Sequence, residues 1–134
     1  MEWTVNEPKS GDMIRTKVSF YHHYGIFVND TCVIQFGLPN DVSKPADTIR
    51  VLESDIYTFL DGGELEVAKL SKAEESKRRS CEETVQIAKS KLGEGGYDIL
   101  HNNCEHFANF CLFGEHKSDF LQSVREKLKK KLGK

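Results

Sequence analysis

Asn102-Asn103-Cys104-Glu105-His106-Phe107-Ala108-Asn109-Phe110-Cys111 sets a cysteine behind two amides that cap helices well and in front of an apolar helical stripe. On a helix beginning near Cys104, positions 104, 107, 108 and 111 share a face, and that face must pack against a sheet. The positive end of a helix dipole, with an imidazole nearby, lowers a thiol's pKa towards the reactive thiolate. Cys104 is therefore expected to be a nucleophile at a helix N-terminus.

The imidazole lies early in the chain. His22-His23-Tyr24-Gly25-Ile26-Phe27-Val28 opens a strand, and adjacent strand residues point to opposite faces, so only one of the two histidines can meet the thiol. A hairpin is expected from His23–Val28 and Thr31–Phe36 around a turn at Asn29-Asp30. With its loop centred on Asn29, His23 and Gln35 are directly opposite, and the amide can orient the ring. The result is a Cys104–His23–Gln35 triad whose neutral third member stabilises an imidazolium less than a carboxylate would. His106, only two positions from Cys104, points away from it and is expected to hold a hydrogen bond rather than act as base.

Further outward, strands are expected over residues 13–20, 48–52 and 64–70, with a proline-containing loop at 38–47 and a short helix at 53–60. Ser80 caps a helix that carries Val85, Ala88 and Leu92 on one face and stops near Gly93. Strands that come early and helices that come late give an α+β domain with an antiparallel sheet. Residues 1–116 form one domain on this reading. Ser118 caps a final helix in the segment 117–134, with Leu121, Val124, Leu128 and Leu132 on one side and lysines around them.

The chain has 134 residues, 38% apolar and 30% charged, which suits a folded domain with one site. Its four cysteines, at 32, 81, 104 and 111, contain no Cys-x-x-Cys pair, so reduced thiols in the cytoplasm are expected. No secretory signal and no apolar run of the ~18 residues needed to span a bilayer is visible. Net charge is −2, yet residues 117–134 hold seven Lys/Arg against two acids, leaving twelve against nineteen in the rest. An acidic body argues against a nucleic-acid partner, and the basic helix suits peripheral contact with anionic membranes. His22, His23, Cys104 and His106 lack the paired spacings of zinc sites, so neither metal nor cofactor is expected.

Gly11-Asp12-Met13-Ile14, His23-Tyr24-Gly25-Ile26-Phe27-Val28, Gln35, Asn103-Cys104-Glu105-His106-Phe107, Phe113-Gly114 and Ser118-Asp119 occur in an order that resembles the lecithin retinol acyltransferase family, with its phospholipase A and acyltransferase group. The similarity runs from about residue 8 to 125. It implies a circularly permuted papain-like fold of the NlpC/P60 type, with Cys104 as nucleophile and His23 as base, and part of the preference for His23 over His22 rests on it. Gln35 takes the third position, which relatives usually fill with a second histidine. The resemblance implies a phospholipid acyl hydrolase or acyltransferase that works on glycerophospholipids through a Cys104 acyl thioester. In a second departure from that pattern, the apolar C-terminal anchor that many relatives carry is not expected in this sequence. A cysteine peptidase or amidase on the same scaffold, and a non-catalytic interaction module, are the competing readings.

Overall fold

Period-two alternation divides neighbouring apolar residues between two sheet faces, and that division organises this molecule. The computed structural model describes residues 1–100, 102–114 and 129–130. Its strands are β1 (Glu2–Thr4), β2 (Met13–Val18), β3 (Tyr21–Asn29), β4 (Cys32–Phe36), β5 (Val51–Ser54) and β6 (Glu66–Lys69). The α-helices that accompany them over the described residues up to 114 are α1 (Ile56–Leu60), α2 (Lys72–Lys77), α3 (Cys81–Ser90) and α4 (Cys104–Phe113). The strands form one antiparallel sheet in the order β1-β6-β2-β3-β4-β5. The expected α+β class with an antiparallel sheet is what the chain adopts.

Met13, Ile26, Ile34 and Phe36 face one way and pack against Phe107, Ala108, Cys111 and Leu112 of α4 and Ala88 of α3. Their neighbours Ile14, Phe27 and Val33 face the other way, onto Ile56 and Phe59 of α1 and Val67 of β6. Both faces of the central strands are thus covered. Side chains all around α4 are buried, from Cys104 to Asn109 and at Cys111 and Leu112, so this helix is a core element rather than an amphipathic lid.

The hairpin register differs from the one expected. Ile26 lies opposite Ile34 and Phe27 opposite Val33, with an irregularity before the Asn29–Cys32 pair. Continuing that register sets Gln35 against Gly25, so His23 is the diagonal rather than the direct neighbour of Gln35. A shift of two residues preserves the face, and long side chains span the diagonal. Gly25 has a steric reason to be glycine, since a Cβ there would come within 2.7 Å of the Phe59 ring and 3.2 Å of the Ile34 carbonyl.

Other expectations shift by a few residues. Ala46–Thr48 forms a 3-10 turn, so β5 begins at Val51, and Asp55, whose carboxylate accepts from the Thr58 N–H, delays α1 to Ile56. On α3 the fully buried residues are Thr84 and Ala88, and Leu92 is exposed beyond the helix end, so the apolar stripe is rotated from the expected one. Two elements come unannounced. β1 adds an edge strand to β6, and the charged segment after β6 is the helix α2, opened by a Ser71–Glu74 capping box. Of the expected basic helix in 117–134, only Lys129 and Lys130 are described, and both are helical; the rest lies outside the described residues. Among the described residues, no helix is long and apolar enough to cross a membrane.

Candidate active site

Asn103 starts α4. Its side-chain oxygen accepts from the backbone N–H groups of Glu105 and His106, each at 3.0 Å. His106 returns the bond, its Nδ1 accepting from the Asn103 N–H at 3.0 Å. That reciprocal box uses the ring nitrogen nearest the helix start, as expected of a histidine with a structural duty. Asn102 does not cap; its amide reaches the Gly96 carbonyl at 3.0 Å and its backbone pairs with Asp98, which fixes the approach to the helix. Cys104 is the first helical residue and is buried.

His23 lies on the α1 face of the sheet, its ring 5.1 Å from that of Phe59, whereas α4 packs on the other face. The two meet where β3 and β4 separate. The Phe27 N–H donates to Asp12 beside β2, so by alternation the Tyr24 N–H points towards β4. The registered ladder to β4 begins only at Ile26, and the Tyr24 N–H acts on the Cys104 sulfur instead. Through that gap Cys104 and His23 line one small cleft together with Tyr21, Phe36, Pro39, Asp41, Val42 and Tyr97. The far side of the ring is held: His23 Nε2 and Gln35 Oε1 are 2.9 Å apart, with both residues almost wholly buried. Cys104, His23 and Gln35 are therefore brought together at one place. His22 points elsewhere, 3.9 Å from the Glu66 carboxylate.

Charge behaves differently from the expectation at the helix end. Burial pushes the Cys104 thiol up to about 11, and the nearby Glu105 carboxylate adds to that, while the N–H groups of Tyr24, Cys104 and Glu105 act in the opposite sense. Burial likewise pushes His23 down to about 4, against the hydrogen bond to Gln35 and the Asp41 charge. Desolvation outweighs the backbone N–H groups at Cys104 and the Gln35 bond and Asp41 charge at His23, so the resting pair is a neutral thiol and a neutral imidazole in one cleft. The expected resting thiolate is thereby corrected. Iodoacetamide at pH 7.5 should alkylate Cys104 at least about a hundredfold more slowly than a free cysteine, because the thiolate fraction falls tenfold per pH unit below the pKa. Site-resolved mass spectrometry of the alkylated protein measures this directly; labelling of Cys104 at the free-cysteine rate would contradict it.

Sequence reasoning missed Tyr21 and Tyr97. Burial raises both phenols, and the proximity of Cys104 raises them further. Tyr21 also donates to the Pro39 carbonyl at 2.5 Å, tying the start of β3 to the loop after β4. A tyrosine directly before a histidine pair is a weak signal, and nothing local predicts that the 38–47 loop folds back over it. Phe36, Leu38, Val42 and Ile49 give the cleft an apolar wall.

The family model for lecithin retinol acyltransferase matches residues 6–117. Human phospholipase A and acyltransferase 3 is 29% identical over 134 residues, spanning 92% of this chain and 82% of that protein. Human phospholipase A and acyltransferase 4 is 26% identical over 132 residues, spanning 89% and 78%. Rat lecithin retinol acyltransferase is 26% identical over 147 residues, and the match spans 95% of this chain but 64% of that longer protein. A family match that covers strands β2 to β6, the cleft and α4 leaves one assignment: the chain belongs to the lecithin retinol acyltransferase family.

Proposed function

We propose that the chain transfers acyl groups from glycerophospholipids through a thioester on Cys104, with His23 as proton carrier and Gln35 as the group that orients it. The observation that carries this reading is a buried thiol sharing a cleft with an imidazole whose Nε2 is held by Gln35 at 2.9 Å. Relatives named as phospholipases A and acyltransferases supply the substrate class. We read the early histidine strand and late cysteine helix as the permuted papain-like arrangement.

In the first step, the thiol proton passes to the free nitrogen of His23 as sulfur attacks the ester carbonyl. The carbonyl π pair moves to oxygen, and backbone N–H groups at the head of α4, including that of Cys104, receive the oxyanion. Collapse breaks the ester C–O bond, and His23 returns its proton to the leaving lysophospholipid oxygen. Water, or an amine or hydroxyl acceptor, then takes the acyl group by the same steps in reverse. A neutral resting pair suits this chemistry, since the proton transfer occurs within the encounter and no charge waits in a dry cleft. The apolar wall of Phe36, Leu38, Val42 and Ile49 suits a lipid chain. The basic 117–134 segment is the proposed contact with an anionic membrane surface.

Intact mass spectrometry after mixing with a short-chain phosphatidylcholine tests the proposal. An acyl-sized mass increase on Cys104, removed by hydroxylamine, is the expected result. No adduct, with cleavage of a peptide panel instead, transfers the assignment to a peptidase; no adduct and no cleavage leaves a binding module.

A further inference from the structure

We infer that Ser54 sets which nitrogen of His23 carries the proton, by fixing the direction of the Gln35 amide; this rests on the proposed role of His23 as base. A glutamine amide is ambiguous as an orienting group, because rotation by 180° exchanges an acceptor for a donor. Towards His23, an amide oxygen selects the ring tautomer with hydrogen on Nε2 and leaves Nδ1 basic. An amide NH₂ selects the reverse and leaves no base facing the cleft. An aspartate or glutamate carboxylate in this position would have no such freedom.

Two carbonyl oxygens, which can only accept, resolve the ambiguity. The Ser54 hydroxyl has a single proton and donates it to the Asp55 carbonyl at 2.9 Å. Towards Gln35 that hydroxyl must therefore accept, and Gln35 Nε2 lies 2.8 Å from it. The second amide hydrogen faces the Val33 carbonyl at a longer 3.4 Å. With both hydrogens so engaged, Oε1 is the atom presented to His23, at 2.9 Å. Polarity thus runs as one chain of hydrogen bonds from His23 Nε2 through Gln35 and Ser54 to the Asp55 carbonyl. Gln35 is wholly buried, so no solvent competes for the amide. Ser54 is the last residue of β5, opposite Val33, and Leu52 two residues before it is the cross-strand partner of Gln35, so the hydroxyl arrives from the strand beside Gln35.

Ser54 is a positioning residue on this account, since it acts through Gln35 and touches no substrate. Removing it leaves only the long Val33 contact to hold the amide, and the two orientations become close in energy. Long-range proton–nitrogen NMR of the full chain at pH 7 reports the tautomer of each histidine, with the His23 signals assigned by their loss in His23→Gln. Wild type should show hydrogen on Nε2, and Ser54→Ala should show a mixture in which the Nδ1–H form is readily visible. Phospholipid turnover by Ser54→Ala should fall about tenfold in kcat with KM little changed, and Ser54→Thr, which restores a hydroxyl, should recover both the tautomer and kcat. An Nδ1–H ring in wild type, or a Ser54→Ala spectrum identical to wild type, overturns the inference. The tautomer is read without turnover, so a chain with the expected spectra and no acyl transfer would refute the functional proposal while leaving the Ser54 assignment standing.

Discussion

Cys104→Ala is expected to lower phospholipid acyl transfer by about four orders of magnitude or more, because no other group in the cleft can carry the acyl chain. Of the three remaining cysteines, Cys111 is fully buried in the core and raised to about 12, Cys32 is turned to the Glu53 carboxylate at 3.2 Å, and Cys81 is exposed at the start of α3, outside the residues that line the cleft. None of them can substitute. The fold should hardly notice the change. A neutral thiol in this setting packs as a small apolar group, so its loss should cost about 1 kcal/mol or less in a urea titration. Cys104→Ser separates nucleophilicity from packing still more cleanly. It keeps the size and a hydroxyl, but an alcohol is far less acidic than a thiol, and a ring pushed down to about 4 is a weak base. The serine variant should therefore be folded and nearly as inactive as the alanine variant. Retention of more than about a tenth of wild-type turnover by either one, with folding intact, would remove Cys104 from the mechanism.

What the sequence disclosed follows from how local each signal is. Asn103 and its box with His106 lie within four residues, and helix capping at that range reads directly from residue types. The partnership of His23 with Gln35 was legible through parity: a hairpin register wrong by two residues still puts the same side chains on the same face. The irregularity between Phe27 and Asn29 that causes the shift has no residue signature in the turn itself. Charge was not legible. Whether a thiol at a helix start is ionised depends on how much solvent reaches it, which α4, the 38–47 loop and the two tyrosines decide together from distant parts of the chain. Ser54 escaped for a related reason, since its meaning depends on the pairing of β4 with β5 and on a carbonyl one residue further on. β1 was missed because three residues carry too little periodicity, and its place is secured by tertiary contacts, among them its pairing with β6 and the Arg15 guanidinium 4.1 Å over the Trp3 ring.

Acid should unfold this protein earlier than its carboxylates alone would dictate, and His23 is the reason. Its pKa is 6.5 in an open chain and is held down at about 4 in the fold, chiefly by burial. Between those values the unfolded chain binds a proton that the folded chain refuses, so stability rises with pH across the window and falls as pH drops through it. Above pH 6.5 both states are neutral at this ring and the fold bears no penalty from it. By pH 4 the accumulated loss is about 3 kcal/mol, a large fraction of the stability of a domain of this size. His22 is also pushed down, mostly by burial and by Arg15, and acts in the same direction, so wild type alone does not isolate the ring at 23. His23→Gln does. A glutamine cannot titrate there, and its amide can still donate to Gln35 Oε1, so the variant keeps the buried acceptor satisfied. Urea midpoints measured from pH 7 to pH 4.5 should fall for both proteins, but more steeply for wild type, so that any gap in favour of wild type at pH 7 narrows or reverses at pH 4.5. Parallel curves would mean that the imidazole takes up its proton as easily in the fold as in the open chain. In that case the ring is wet and the cleft does not exclude water, which removes the dry setting assigned to the proposed proton transfer.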